Sequence, residues 1–424
     1  MNQLQHTKGL GIKLYTFLLV LYYLLTMIFP ADLSPKADQA SERIYPQIIM
    51  GVIGIISLMM VSFNANRLIN SKLCKPYFIY LIVGFIYIFY IINGTNLYKN
   101  FLYFLKLDMA ILTLGTFYIF LSKNRKTALS CIYIIYTIQL IYGVESLIAD
   151  RFAAMQGEDE IFNSNAGFSL ITCLPMTMLL PKQRLKMYLY ILLVLCCIAS
   201  GQRSAALAAI ITVPFTLKYF FNSVSKKDKY LITVLVLIAC IPVAYFAITN
   251  IMMRNAIDAE KGDIGSGRSI FWLLLISDFI DHNLIQLLFG NGYFSPQQLL
   301  GSKYGMAIEA HNGWIQNLYV YGIIGLILYA KTVFIMLKTN KTVNKLNIYP
   351  KNLLLICFLV FFVKCSTSHG NWDISVMPFS IVLAMIADGI RRNKKRKVNS
   401  FKQLIGYDCN KRGIISNSER RFYS

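Results

Sequence analysis

Charge is scarce in this sequence, and negative charge scarcest. Only 15% of the 424 residues are charged, with 20 acidic residues against 42 lysines and arginines, and there are four histidines. That composition excludes an ordinary soluble domain, which needs a far more polar surface. An internal repeat and a low-complexity domain are also missing. No small-residue cleavage site follows the first apolar run, so Lys8 and Lys13 introduce a retained helix and not a removed signal. Most of the nine cysteines fall inside apolar runs, and the adjacent Cys196 and Cys197 have neither metal-ligand spacing nor the geometry of a disulfide. They read as packing residues.

What the chain has instead is apolar length. With 56% apolar residues, stretches long enough for a hydrocarbon core of about 30 Å recur about twelve times between Leu14–Phe29 and Ile374–Ala387. Helices satisfy their own backbone groups in lipid, so the expected fold is all-α: a polytopic transmembrane bundle of about twelve helices. Residues 1–249 hold crossings one to nine, 250–312 form a large external loop with short amphipathic helices, 313–390 hold the last three crossings, and 391–424 make a basic cytoplasmic tail. Within the loop, Ser269 to Leu288 suits a helix lying on the membrane. Leu185 to Phe221 is too long for one ordinary crossing. The break at Ser200-Gly201-Gln202-Arg203-Ser204 splits it into two, with Arg203 at the outer edge.

The basic residues cluster in alternate loops: Arg67, Lys72 and Lys75; Lys123, Arg125 and Lys126; Lys182, Arg184 and Lys186; Lys226, Lys227 and Lys229; Lys338 to Lys351; and the tail from Arg391. Acidic residues on that side are limited to Asp228, Asp388, Asp408 and Glu419. This is the positive-inside pattern. It explains the net charge of +22 without a nucleic-acid partner, and it puts both termini in the cytoplasm. Trp272, Trp314 and Trp372 fall near the outer boundary, where tryptophan commonly anchors a helix.

The outer side collects Arg254, Arg268, His282 and His311, with Arg203 at the end of a neighbouring span. Guanidinium groups bind phosphate oxygens through charge-assisted, often bidentate bonds. An imidazole takes a hydroxyl proton near neutral pH. A diphosphate-linked lipid reacting with an acceptor hydroxyl needs both. Each residue also has an ordinary reading, as a snorkelling arginine or a solvated histidine. Arg203 opens a helix, where free amides favour anions, although a capped re-entry turn accounts for the same residues. Lys106 and Asp108 lie within a span, where charge is costly. Lys364, His369, Trp372 and Asp373 form a second outer cluster that either lines an acceptor groove or is a plain polar loop.

Taken in order, these segments resemble the bacterial O-antigen ligase and O-antigen polymerase superfamily. The similarity rests on Ser200–Ser204 opening a helix, Gly265-Ser266-Gly267-Arg268 with Trp272 one turn on, Gly290-Asn291-Gly292, Ala310-His311-Asn312 beginning a span, and Gly322-Ile323-Ile324-Gly325 within it. It covers roughly Asn165 to Leu328, and Gln202 departs from the small residue or serine expected before the arginine. The resemblance implies a membrane glycosyltransferase of the C type, independent of metal and cofactor, that takes an undecaprenyl-diphosphate-linked oligosaccharide as donor and a glycan or lipid A core as acceptor. Membrane lipids and a chain-length regulator are the further partners. It also implies that Arg203 and Arg268 hold the diphosphate, that His311 is the general base, and that Arg254, Asn312, Trp272 and His369 bind substrate. Polymerase is preferred to ligase because nothing in the chain specifies a lipid A acceptor. A transporter would show two matching halves, a flippase would carry charges along an internal cavity, and a scaffold would leave the arginines and histidine unexplained.

Overall fold

The structure is a computed structural model that describes residues 2–28, 44–90, 97–156, 164, 166–221, 230, 245, 248–249, 252, 256, 268–305, 308–367 and 372–420. These residues form helices and no strand. Helices α1 (Asn2–Ile28), α2 (Ile44–Phe63), α3 (Ala65–Ile69), α4 (Lys75–Tyr87), α5 (Leu97–Lys123) and α6 (Arg125–Gln156) come first, then α7 (Ala166–Thr177), α8 (Gln183–Ala199) and α9 (Arg203–Phe221). After them come α10 (Arg268–Ile280), α11 (Leu284–Phe289), α12 (Ser295–Tyr304), α13 (Gly313–Leu346), α14 (Leu353–Thr367) and α15 (Met377–Arg420).

Five of these helices contain segments long and apolar enough to cross a membrane: Leu10–Met27, Tyr45–Phe63, Leu97–Lys123, Arg125–Phe152 and Gly313–Leu346. Cys74–Tyr87, Ala166–Thr177, Arg203–Leu217 and Leu353–Thr367 are apolar but shorter. The crossing expected over 231–249 lies largely outside the described residues. The long amphipathic piece expected from Ser269 to Leu288 is two helices. The first ends at Ile280, and Asn283 starts the second, its side chain accepting from Gln286 N at 3.0 Å as an N-cap.

Helix α5 is the axis of the bundle, buried along nearly its whole length and packed by α2, α4, α6 and α15. Helices α7, α8, α9 and α14 form a second group, and α13 joins the two through α4 and α14. The intramembrane charges of α5 part company. Lys106 reaches out to Glu309 at 2.6 Å, whereas Asp108 is fully buried against Gly84 of α4, where a Cβ would lie 2.7 Å from the carboxylate. Trp372 is no interfacial anchor. It is fully buried, stacked on Phe361 at 4.1 Å and edge-on to Tyr77, with its indole N–H donating to Thr332 Oγ1 at 3.2 Å. Its polar handle is satisfied from within, so the ring behaves as core.

The chain reverses between α8 and α9 at Gly201, whose φ of 70° is a left-handed turn that glycine adopts without cost. Ser200 locks the turn, its hydroxyl donating to Cys197 O at 2.7 Å and accepting from Gln202 N at 3.3 Å. Two antiparallel helices, not one long one, therefore follow Leu185, and Arg203 is the first residue of the second.

Helix α13 breaks at Gly322, where φ is 68° and ψ is −167°. The break frees two carbonyls of the preceding turn, and the Gly290-Asn291-Gly292 loop fills them: Asn291 N donates to Tyr319 O at 2.9 Å and Gly292 N to Val320 O at 3.0 Å. The approach is backbone on backbone. A Cβ on Gly322 would lie 2.5 Å from Gly290 N, and one on Gly290 would overlap Gly322 N and Val320 O. Gly290→Ala and Gly322→Ala should each destabilise the protein by about 1–3 kcal/mol or more, read as a lowered thermal midpoint in detergent. Gly51→Ala, with nothing within 4 Å of its added methyl, should leave the midpoint unchanged or slightly raised.

Candidate active site

His311 stands between α12 and α13, two residues before Gly313 opens the half-helix that ends at the Gly322 break. Its φ of 51° lies in the left-handed region, uncommon outside glycine although histidine enters it more readily than most residues. The segment is clamped on both sides. Ala310 N donates to Gln316 Oε1 at 3.0 Å, and Ala310 O accepts from the indole N–H of Trp272 at 2.7 Å. Asn312 caps α13, its carbonyl oxygen accepting from Trp314 N at 2.9 Å and Ile315 N at 3.2 Å. Every neighbour of the strained residue is held, so the strain is fixed in place.

The C-terminal end of α14 ties this segment to Arg268. Asn312 Nδ2 donates to Ser366 O at 3.1 Å, Trp314 Nε1 to Ser366 Oγ at 3.0 Å, and Arg268 to Thr367 O at 2.7 Å. Arg268, Trp272, His311 and Asn312 thus share one group of contacts, and all four are half-buried. Helix α9, which Arg203 opens, packs against α14. Arg254 and His369 lie outside the described residues. His282 belongs to a separate network: its Nε2 is 3.4 Å from Asp278, which also accepts from Tyr319 at 2.5 Å, and its Nδ1 is 3.2 Å from Asn291.

His311 lines a cavity of about 620 Å³ with Tyr103, Lys106, Phe294, Gln297 and Glu309 among its walls. The Tyr103 hydroxyl accepts from Gln297, in a short bond, and from Gln316 at 3.2 Å. Glu309, only 7% exposed, takes the Lys106 ammonium. The sequence reading missed Glu309, Gln297 and Tyr103. The one available signal was Lys106, an intramembrane cation in need of a carboxylate, and it names no partner. Among the described residues no three His, Cys, Asp or Glu side chains come together as a metal site.

Chemically, the arrangement offers a histidine in the wall of a cavity of oligosaccharide-compatible size, lined by both polar and apolar side chains, with a guanidinium anchored on the adjoining helix end. Asn312→Ala removes a cap that serves two amides and should cost about 1 kcal/mol. The measurable sign is a lower thermal midpoint, with faster amide exchange confined to the first turn of α13.

No curated protein matches the chain. Residues 188–330 match the family model for O-Antigen ligase, a span that contains Arg203, Arg268, His311 and the α13 break. The match covers about a third of the chain, and together with five helices long and apolar enough to cross a membrane it supports a bacterial inner-membrane protein that is similar, over residues 188–330, to the O-antigen ligase and polymerase superfamily.

Proposed function

We propose that this protein is a polysaccharide polymerase of the cell surface, moving glycan from undecaprenyl diphosphate to a sugar hydroxyl at the outer face of the cytoplasmic membrane. One observation carries the reading. His311 is fixed in a left-handed backbone in the wall of a cavity that also presents Lys106, Gln297 and Glu309, on a segment bonded through the end of α14 to Arg268. In this reading 250–312 is the external catalytic loop, within a bundle of about twelve crossings with both termini in the cytoplasm.

The chemistry follows from the residue types. His311 takes the proton of the acceptor hydroxyl, and the oxygen attacks the anomeric carbon of the donor sugar. The bond from that carbon to the diphosphate oxygen breaks, and the diphosphate leaves with the electron pair. Arg203 and Arg268, with Arg254, neutralise the charge that develops on it. Asn312 and Trp272 hold the histidine segment, and His369 contributes to the acceptor groove. No metal or cofactor is needed for this transfer. A chain-length regulator is a further partner.

Transfer of finished glycan to lipid A core is the second reading, favoured by the description of the matched family. The same leaving-group chemistry serves both, and the polymerase is preferred because the chain has no feature that specifies a lipid A acceptor. Loss of the protein separates them. A single capped repeat implicates polymerisation, and full-length glycan stranded on its lipid carrier implicates ligation.

Arg203→Ala, Arg268→Ala and His311→Ala should each lower in vitro glycan transfer by about a hundredfold or more while the protein still inserts in the membrane. Arg268→Lys should also fail, because an ammonium lacks the planar fork. Full activity in all three alanine variants, or reporter fusions that put Arg203 and His311 on the cytosolic side, would remove the site.

A further inference from the structure

A second cavity, of about 800 Å³, lies among α6, α8, α9 and the turn between α13 and α14. It is far from His311. The histidine cavity takes Leu102, Tyr103 and Lys106 from the start of α5, whereas this one takes Arg125, immediately beyond the end of α5. About twenty residues of helix separate the two levels, or about 30 Å at 1.5 Å per residue, the thickness of a hydrocarbon core. The same holds along α13, which has His311 before its first residue and the Asn347–Asn352 turn of this cavity after its last.

The lining is cationic and aromatic: Arg125, Lys186 and Lys351, with Tyr133, Tyr219 and Tyr349, and no carboxylate. Lys186 is the informative residue. It is 7% exposed, and it donates to the Tyr219 hydroxyl at 3.2 Å and sits 5.4 Å from that ring. Among the described residues it meets no carboxylate. The nearby Asp388 is committed to Arg391 at 2.6 Å and Arg392 at 2.7 Å. Burial pushes the Tyr349 phenol up to about 12 against the pull of Arg125, so the tyrosine is neutral at physiological pH and supplies no negative charge. A buried ammonium with only a phenol and a ring face for company is costly unless an anion completes its surroundings.

We propose that this cavity is a binding site for a phosphate group, that of an anionic phospholipid headgroup seated at the membrane face opposite the active site. Arg125 and Lys351 grip the phosphate oxygens from the rim, Lys186 neutralises it from beneath, and the tyrosine hydroxyls serve the remaining oxygens. The apolar walls, Leu129, Met178 and Phe215, suit the glycerol and upper acyl carbons. The site uses none of the residues assigned to transfer, and it stands or falls independently of that assignment.

The test uses full-length protein in phosphatidylcholine nanodiscs doped with phosphatidylglycerol, with lipid retention read by native mass spectrometry. A second arm titrates detergent-solubilised protein with inorganic phosphate and follows the thermal midpoint. Wild-type protein should retain phosphatidylglycerol over phosphatidylcholine, and Lys186→Met should lower that retention about tenfold, with Lys186→Arg restoring most of it. Because Lys186 is buried, the pair Arg125→Gln with Lys351→Gln, at the rim, tests the same site if Lys186→Met does not fold. Stabilisation by inorganic phosphate, lost in the same variants, supports the phosphate site with a free anion as its source. Equal retention of both lipids by wild type with no response to phosphate overturns the proposal, as does unchanged retention in the folded variants.

Discussion

An unsatisfied carbonyl in a hydrocarbon core is among the most expensive things a membrane protein can contain, and the break in α13 creates two of them. Tyr319 O and Val320 O would ordinarily accept from the amides one turn on, but the backbone at Gly322 points those amides elsewhere. The Gly290-Asn291-Gly292 loop supplies the missing donors. This exchange fixes more than the helix. It pins the end of α11 to the middle of α13, and with it α10, which packs on α13 and α12. Helices α10 and α11 are therefore both tied to α13. Both glycines are needed for distance, since neither backbone has room for a Cβ, and for conformation, since both have a positive φ.

The broken helix leaves a short first half, Gly313 to Tyr321, whose N-terminus is capped by Asn312 and preceded by His311. A half-helix held at both ends is a better mount for a catalytic side chain than a loop, because its orientation is set by packing and not by the chain's own stiffness. Trp272 completes the mount by gripping Ala310 O, and Asn312 extends it to α14. Arg268 shares that α14 end, so a displacement of Ser366 or Thr367 would move the His311 segment and the guanidinium together. Coupling of this kind suits the proposed transfer, in which proton removal from the acceptor oxygen and charge neutralisation on the leaving oxygen occur on opposite sides of one anomeric carbon.

The helical character, the apolar spans and the α8–α9 reversal were legible in the sequence because they depend on composition and on a local turn at Gly201. The Ala310-His311-Asn312 segment was legible as a motif, but its strain was not: the segment is held by Gln316, in the next turn of chain, and by Trp272 and α14, which are distant in sequence. Gly322-Ile323-Ile324-Gly325 was legible only as a motif within a span. The structure shows a break filled by a loop, and only knowledge of where Gly290 lies could have revealed it. Trp372 looked like a boundary residue because it borders a polar stretch, yet Phe361, Phe379 and Tyr77 enclose it completely. Position along a chain predicts depth in a bundle poorly when an aromatic cluster draws the segment inward.

The poverty in acid gives the buried charges their meaning. Where carboxylates are few, the ones that are buried reveal which cations the fold itself must neutralise. Glu309 answers Lys106, Asp388 answers Arg391 and Arg392, and Asp373 lies 3.7 Å from Lys364. Lys364 and Lys186 are both almost fully enclosed, at 3% and 7% exposed, and both lie near an end of their helix. One is matched by an acid and the other by a phenol. Neutralising a buried lysine from within costs the fold one of its few acids, and Lys364 shows that this solution was available. Among the described residues no acid does this at Lys186, and at a membrane surface the abundant anion is a lipid phosphate.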